Sequence, residues 1–147
     1  MTDRVFVDTN VVVYAFDAAE PDRREIALEL LGGEALGGRE SRPVLVLSTQ
    51  VLQEFYVTVV HKLERPLDEA DAYQAVRSLS RLQVVHVDPE MVLSGIVLSQ
   101  KHRLSLWDAL IVRAAQTADC SRLLSEDLQH DRSFGSLVVE NPFREVG

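Results

Sequence analysis

The chain has 147 residues, of which 46% are hydrophobic, enough for one domain with a proper hydrophobic core. Its formal net charge is -8, from 23 acidic and 15 basic side chains. This balance argues against binding nucleic acid through a simple basic surface. Either the substrate is not a polyanion, or the acidic residues gather metal ions that reverse the local charge.

Three features of the sequence predict a cytoplasmic protein. No apolar run reaches the roughly 20 residues needed to span a bilayer. The N-terminal residues MTDR lead directly into a predicted strand, so we expect no signal peptide. Cys120 is the only cysteine, so no internal disulfide can form, and we expect a small buried or half-buried thiol in a reducing compartment.

Strand-like and helix-like segments alternate along the chain, which is typical of an α/β domain with a mostly parallel sheet. We predict strands at residues 4–8, 44–47, 84–87 and 122–125, with a short fifth at 137–139. Predicted helices cover residues 10–17, 21–31, about 49–64, 69–79, 89–102 and 106–118. The sequence thus predicts one domain over residues 1–147, with a sheet of four to five strands flanked by helices.

Capping residues and loop signals set the predicted ends of these helices. The expected N-caps are Ser48 or Thr49, Asp68 and Ser105. Two glycines, at 32 and 33, are expected to end the second helix, and residues 37–41 (GGRES) to form a loop.

Four carboxylates lie beside apolar elements instead of on an evident solvent-facing surface. Asp8 ends the first predicted strand, and Asp127 follows the fourth. Glu54 lies in the first turns of the helix over 49–64, and Asp108 lies at the start of the helix over 106–118. Because ligands of an open α/β sheet collect beyond the carboxyl ends of its strands, we expect these acids to converge at one edge.

A convergent group of carboxylates predicts a metal site. Each negative charge raises the pKa of the others, and a hard divalent cation relieves that repulsion. Oxygen-only ligation favours Mg²⁺ or Mn²⁺ over Zn²⁺, and the four histidines lack close spacing. Such a site could activate water and stabilise charge on a phosphodiester during in-line displacement.

Each acid also has a purely structural interpretation. Asp8 could cap the helix that follows it, and Asp108 could complete a capping box with Ser105. Glu54 could be an ordinary helix-surface acid, and Asp127 could hold a turn. Their expected position at one sheet edge is therefore a stronger signal than any one of them.

Five short motifs resemble those of the PIN domain, and their order, spacing and total length are similar to the VapC-type toxins of bacterial toxin–antitoxin pairs. The motifs are VFVDTN at 5–10, QEF at 53–55, WDALI at 107–111, LSEDLQH at 124–130 and NPF at 141–143. The resemblance covers essentially the whole chain. It implies a parallel sheet flanked by helices.

The resemblance further implies an Mg²⁺- or Mn²⁺-dependent endoribonuclease toxin that hydrolyses RNA phosphodiester bonds with metal-activated water. Carried over by motif, Asp8, Glu54, Asp108 and Asp127 form the acidic catalytic site. One or two metals would bind chiefly through Asp8 and Asp108. Asp127 would help to hold the metal or its water, and Glu54 would bind the metal directly or through water.

Two neighbouring residues complete the implied site, and one position departs from the family pattern. Asn10 and Ser125 would orient the carboxylates through hydrogen bonds. Related sequences often continue His-Gly after the fourth motif, whereas this chain has His130 followed by Asp131. Losing a glycine restricts the backbone there. We expect the Asp131 side chain to face solvent and not to be catalytic.

The resemblance also implies protein partners, namely a second copy of the chain in a homodimer and a small inhibitory antitoxin. The antitoxin tail is expected to lie along a groove that leads to the acidic site, where an arginine could pair with a carboxylate. Helical residues 49–80 are the candidate surface for both contacts. The side chains that favour this surface are Phe55, Tyr56, Val60 and Tyr73, unless they serve plain core packing.

An RNA substrate must still approach an acidic protein. We expect metal ions to neutralise the pocket and nearby basic side chains to contact phosphates. The candidates are Arg4, Lys62, Arg65, Lys101 and Arg103.

Two other classes of function remain open from the sequence. One is a catalytically silent PIN-like domain that serves as a binding module. The other is a phosphate-handling α/β domain. An aspartyl phosphatase would need a second acid two residues after Asp8, where this chain has Asn10. A phospho-accepting receiver would need an acidic pair and a late lysine, but the only lysines are Lys62 and Lys101.

Overall fold

The computed structural model describes residues 3–32 and 43–146. In chain order the elements are β1 (Arg4–Val7), α1 (Thr9–Tyr14), α2 (Pro21–Leu31), β2 (Val44–Ser48), α3 (Thr49–His61), α4 (Glu69–Leu79), β3 (Gln83–Val85), α5 (Pro89–His102), α6 (Leu106–Thr117), β4 (Arg122–Leu124), β5 (Ser133–Phe134) and β6 (Leu137–Glu140). The predicted loop at 37–41 and Gly33 lie outside the described residues.

One sheet of six strands, in the order β3-β2-β1-β4-β6-β5, organises the fold. Four of its five strand pairs are parallel, and only β5 and β6 are antiparallel. The predicted α/β class with a mostly parallel sheet is confirmed. The sheet has one strand more than the predicted four to five because β5 has only two residues, too few to show a periodic pattern.

The core lies on both sides of the central strands. In β1, Val5, Phe6 and Val7 are all buried, as is typical of a parallel strand with helices on both faces. Phe55 from α3 is also fully buried. Cys120 is buried and free, as expected.

Side-chain caps begin the four helices that follow β2. The predicted caps Ser48, Asp68 and Ser105 accept hydrogen bonds from backbone N–H groups of α3, α4 and α6. Asp88 does the same for α5. Each bond satisfies a donor that a helix start otherwise leaves without a partner.

Two predicted helices end earlier than expected. The helix predicted over 10–17 stops at Tyr14, and Asp17 instead accepts a hydrogen bond from the N–H of Ala19 at 3.1 Å. The helix predicted to about 64 stops at His61, and the chain then turns so that the N–H of Leu67 reaches the Val59 carbonyl at 2.9 Å. Within the described residues, no helix is long and apolar enough to cross a bilayer.

Candidate functional site

The fold brings the four predicted acids to one end of the sheet. Asp8 directly follows β1, and Asp127 lies in the loop after β4, the neighbouring parallel strand. Asp108 lies in the first turn of α6, and Glu54 lies within α3. Their charges act on one another, because Asp127 and Asp108 both raise the pKa of Asp8.

Asp8 is the buried centre of this group, with 4% of its surface exposed. Its Oδ1 accepts the N–H of Thr9 at 2.7 Å, so it is the N-cap of α1, and its Oδ2 accepts the hydroxyl of Ser125 at 2.7 Å. Burial raises the pKa of Asp8 from 3.8 to about 7, against the opposing effect of these two donors. The capping bond and the bond from Ser125 are thus accepted by different oxygens of one carboxylate.

Asp108 is half-buried and also has two roles. Its N–H donates to the Ser105 hydroxyl at 3.1 Å, which gives the predicted capping bond. Burial, followed by the Asp127 charge, raises the pKa of Asp108, and Glu54 adds to this rise. The helix start therefore fixes the backbone of Asp108, while burial and the other acids disfavour the charge of its carboxylate.

Glu54 is half-buried and accepts hydrogen bonds from two side chains that the sequence motifs do not single out. The hydroxyl of Thr9 donates to Glu54 Oε1 at 2.8 Å, and Nε2 of Gln50 lies 3.5 Å from Glu54 Oε2. The same Nε2 donates to the Trp107 carbonyl at 3.2 Å. Gln50 therefore joins α3 to the first turn of α6. Its place four residues before Glu54, on the same helix face, is the signal that could have identified it.

The two residues expected to orient the carboxylates act differently. Ser125 does contact a carboxylate, since its hydroxyl donates to Asp8 and accepts the N–H of Asp127 at 3.1 Å. Asn10 contacts backbone instead, because its Oδ1 accepts the N–H of Glu126 at 3.4 Å. Within the described residues, the buried Nδ2 of Asn10 has no hydrogen-bond partner. Asn10 thus fixes the loop that carries Asp127 and not a carboxylate directly.

A cavity of about 550 Å³ opens beside the acids. Its lining includes Thr9, Asn10, Glu54 and Asp127 from the acidic end, and the cavity extends along α1 and α3 to Lys62. Lys62 is the only basic side chain among the residues that line it. A second, apolar groove of about 380 Å³ between α3 and α4 adjoins it, since Gln53 lines both.

The donor chemistry of the acids fits Mg²⁺ or Mn²⁺. All four are oxygen ligands, and a cation would relieve the repulsion that disfavours the charges of Asp8 and Asp108. Over residues 3–32 and 43–146, no three His, Cys, Asp or Glu side chains are grouped closely enough to hold an ion together. Mg²⁺ usually binds through one or two carboxylates and keeps several waters, so it does not need such a group.

The expected partner surface is partly core. Phe55 is fully buried, and Tyr56 and Val60 are half-buried and pack against the core. Only Tyr73, of the four side chains named for this surface, is exposed, and with Tyr56 it lines the α3–α4 groove. The expectation that these four side chains exceed the needs of the core is therefore wrong for Phe55.

Two other expectations concern residues outside the acids. Arg4 begins β1, at the opposite end of that strand from Asp8, and its Nε donates to the Ala118 carbonyl. It is therefore poorly placed for a phosphate at the acids.

The Asp131 side chain is 80% exposed, as expected. Its φ of 68° is the left-handed conformation that glycine adopts without strain.

The last motif has a structural role. Nδ1 of His130 accepts the N–H of Asn141 at 3.0 Å, and the side chain of Asn141 accepts the N–H of Phe143 at 2.8 Å. Phe143 is buried and packs edge-on against Tyr14, with ring centroids 4.9 Å apart. This motif therefore secures the chain after β6 against α1.

Comparisons with known proteins agree with this architecture. The family model described as PIN domain matches residues 5–133. None of the curated proteins matches the sequence.

Several solved structures share the fold at low sequence identity. The chain is similar to Mycobacterium tuberculosis VapC20, described as a sarcin-ricin loop cleaving toxin, with a TM-score of 0.62, 18% identity, and coverage of 84% of this chain and 89% of that one. It is similar to a toxin–antitoxin complex from Klebsiella pneumoniae, with a TM-score of 0.61, 19% identity, and coverage of 94% and 97%. It is also similar to VapBC2 from Rickettsia felis bound to a promoter DNA fragment, with a TM-score of 0.61, 21% identity, and coverage of 93% and 97%.

Proposed function

This chain belongs to the PIN domain family, and from that premise we propose that it is the nuclease toxin of a toxin–antitoxin pair. The reaction is Mg²⁺- or Mn²⁺-dependent hydrolysis of RNA phosphodiester bonds. The observation that carries the proposal is the buried carboxylate of Asp8 at the end of β1, with the charges of Asp108 and Asp127 close enough to oppose its ionisation. A fold gains nothing from such repulsion unless a ligand relieves it.

Each acid has a role in this proposal. Asp8 and Asp108 would hold the cation, and Asp127 would assist from the loop after β4. Glu54, kept in place by the Thr9 hydroxyl, would bind the cation directly or through water. A divalent cation, when bound, polarises a phosphate oxygen and lowers the pKa of water. The protein contributes fixed carboxylates on rigid elements, which hold the reacting groups in one arrangement.

The RNA backbone is proposed to follow the cavity between α1 and α3. Lys62 lies eight residues after Glu54, about 12 Å along the helix axis at 1.5 Å per residue. Its ammonium group would contact a phosphate away from the bond that is cut. This contact supplies positive charge that the acids themselves lack.

Two protein partners belong to the proposal. The antitoxin is assigned to the apolar α3–α4 groove, because that groove adjoins the cavity at the acids and a guanidinium could pair there with a carboxylate. The chain is further proposed to form a homodimer. An exposed apolar face on α5, formed by Leu93, Ile96 and Val97, is the kind of surface that a second copy covers.

A cleavage assay tests the function. The chain, freed of partners, is incubated with single-stranded RNA and the matching DNA in Mg²⁺, in Mn²⁺ and in chelator. We expect cleavage of RNA only with metal, and about a thousandfold loss in Asp8→Ala and Asp108→Asn, since a bound metal is worth several kcal/mol and 1.36 kcal/mol is tenfold in rate.

Asp131→Asn is the matched control. Asp131 lies four residues after Asp127, is exposed, and adopts a left-handed backbone that asparagine tolerates. The Asp131→Asn variant should cleave RNA at the wild-type rate. Full activity of folded Asp8→Ala and Asp108→Asn would mean that the site is wrong. An absence of cleavage by wild type in either metal would favour the silent binding module.

A further inference from the structure

A fifth carboxylate lies in the loop after β4, and its environment differs from that of the four site acids. Glu126 stands between Ser125 and Asp127, but it is bound on both oxygens by other groups. The Tyr14 hydroxyl donates to its Oε1 at 2.6 Å, and Nε of Arg23 donates to its Oε2 at 3.0 Å.

The two donors come from different helices and contact each other. Tyr14 is the last residue of α1, and Arg23 lies in the first turn of α2. The Arg23 guanidinium carbon lies 5.5 Å from the centre of the Tyr14 ring, within cation–π range. Burial and the Glu126 carboxylate raise the pKa of Tyr14 well above its ordinary value, so the phenol stays protonated and remains a donor.

The loop that carries Asp127 is therefore fixed on two sides. Ser125 ties it to Asp8, and the same hydroxyl accepts the N–H of Asp127. One residue later, Glu126 ties it to α1 and α2 through Tyr14 and Arg23. Without the second contact, the loop would lose its side-chain tie to α2 and would keep the bonds made by Ser125 and Asn10.

We propose that Tyr14 and Arg23 are positioning residues that act through Glu126 to hold Asp127 at the acidic site. The proposal rests on the proposed function for its catalytic consequence. Arg23 also neutralises the charge of Glu126. A carboxylate that was free at this place would add to the repulsion around Asp8 or compete with Asp127 for a cation.

The contact is poorly suited to a role in stability alone. The side chains of Arg23 and Glu126 are 22% and 24% exposed, so solvent reaches the pair and breaking it should cost less stability than breaking a fully buried pair. Groups that orient a metal ligand, in contrast, commonly change metal affinity or activity by about 10- to 100-fold when they are removed. The loss of this contact should therefore affect the site more than the fold.

Three single variants (Tyr14→Phe, Arg23→Gln and Glu126→Ala) and the double variant Tyr14→Phe/Glu126→Ala test the proposal, with Glu126→Gln as the conservative replacement. We expect each single variant to lower kcat about tenfold with little change in KM. Because Tyr14 acts through Glu126, the double variant should be no slower than Glu126→Ala. Glu126→Gln keeps an acceptor oxygen and should recover part of the loss.

Arg122→Gln is the matched control for Arg23→Gln. Arg23 bridges Glu20 and Glu126, and Arg122 likewise bridges two acids, Asp3 and Glu140. Arg122 lies in β4, however, and touches none of the four site acids. It should retain wild-type kcat. Equal losses in the two arginine variants, or independent and multiplying losses from Tyr14→Phe and Glu126→Ala, would overturn the proposal.

Two measurements without RNA separate this inference from the proposed function. Binding of Mn²⁺, followed by electron paramagnetic resonance, should weaken about tenfold in Tyr14→Phe. Amide hydrogen exchange at residues 126–128 should accelerate in the same variant, with an unchanged thermal midpoint. Unchanged exchange and unchanged Mn²⁺ affinity would overturn the inference, even if the wild type cleaves RNA. Failure of the wild type to cleave RNA would count against the function only.

Discussion

The two ends of β1 each carry an aspartate, and the surroundings of the two side chains are opposite. Asp3, just before the strand, is exposed and pairs with Ser121 and with the Arg122 guanidinium at 3.1 Å. These contacts, the Ser121 hydrogen bond first, lower the pKa of Asp3. Asp8, just after the strand, is buried near other carboxylates, and burial raises its pKa to about 7.

The difference separates an end of the sheet where opposite charges are paired from an end where carboxylates lie close to one another. At the Asp3 end, charges of opposite sign neutralise one another. At the Asp8 end, like charges meet, and buried polar atoms of Asn10 and Gln50 have no partner in the described part of the chain. Features of this kind cost free energy and persist where function requires them.

The largest effect on stability is expected from Asp8→Asn. Because the folded pKa of Asp8 lies above its unfolded value, the wild type loses stability as pH rises from about 4 to about 7. Asparagine carries no charge and avoids that loss. After allowance for a weaker contact with Ser125, the variant should be about 2 kcal/mol more stable than metal-free wild type at pH 8, with no advantage at pH 4. Urea denaturation at both pH values measures this.

Asp3→Asn is the control for the other end of the strand, and its sign is reversed. The lowered pKa of Asp3 gives stability that is present above pH 4 and is lost as pH falls through the folded pKa. Because Asp3 is exposed, the variant should lose at most about 1 kcal/mol at pH 8. A stability difference for Asp8→Asn that does not change between pH 4 and pH 8 would contradict the comparison.

A smaller effect is expected from Gln50→Leu. Leucine removes the amide that donates to Glu54 and to the Trp107 carbonyl, and about a tenfold loss of kcat is expected. Stability should change little, because the loss of these two bonds is offset by removal of a buried Oε1 that has no partner among the described residues. Rates measured across Mg²⁺ concentrations check this, with the exposed Gln74→Leu as control. A loss of kcat that is accounted for by a lower unfolding midpoint of Gln50→Leu would contradict this prediction.

The smallest effect is expected from Lys62→Gln, which removes the one basic side chain that lines the cavity among the described residues. RNA affinity, measured with the inactive Asp108→Asn background, should fall a few-fold. The slope of log affinity against log salt should decrease by about 0.7, as for one phosphate contact to a single strand. Arg122→Gln also removes one positive charge, but from a residue that does not line the cavity, and it should leave the slope unaltered. Equal slopes for all three proteins would place RNA elsewhere.

Local sequence predicted the elements and the acids because each depends on neighbouring residues. The apolar run VFV and the aspartate after it predict a buried strand that delivers Asp8 to the sheet edge. The caps Ser48 and Asp68 were predicted because capping spans three residues. The two-residue strand β5 was missed because two residues have no period, and Phe55 was misassigned because buried and partner-facing aromatics look alike in a sequence.

The sequence by itself determined the α/β pattern, the order of the acidic residues and the family resemblance. Only the tertiary structure decided which groups touch. Tyr14 and Glu126, separated by 112 positions, meet because β1 and β4 are neighbours in the sheet, and the partner of Asn10 is a backbone amide for the same reason. The pKa of a carboxyl group likewise depends on burial and on neighbours from other elements. The opposite pKa shifts of Asp3 and Asp8 therefore arise only once the chain is folded.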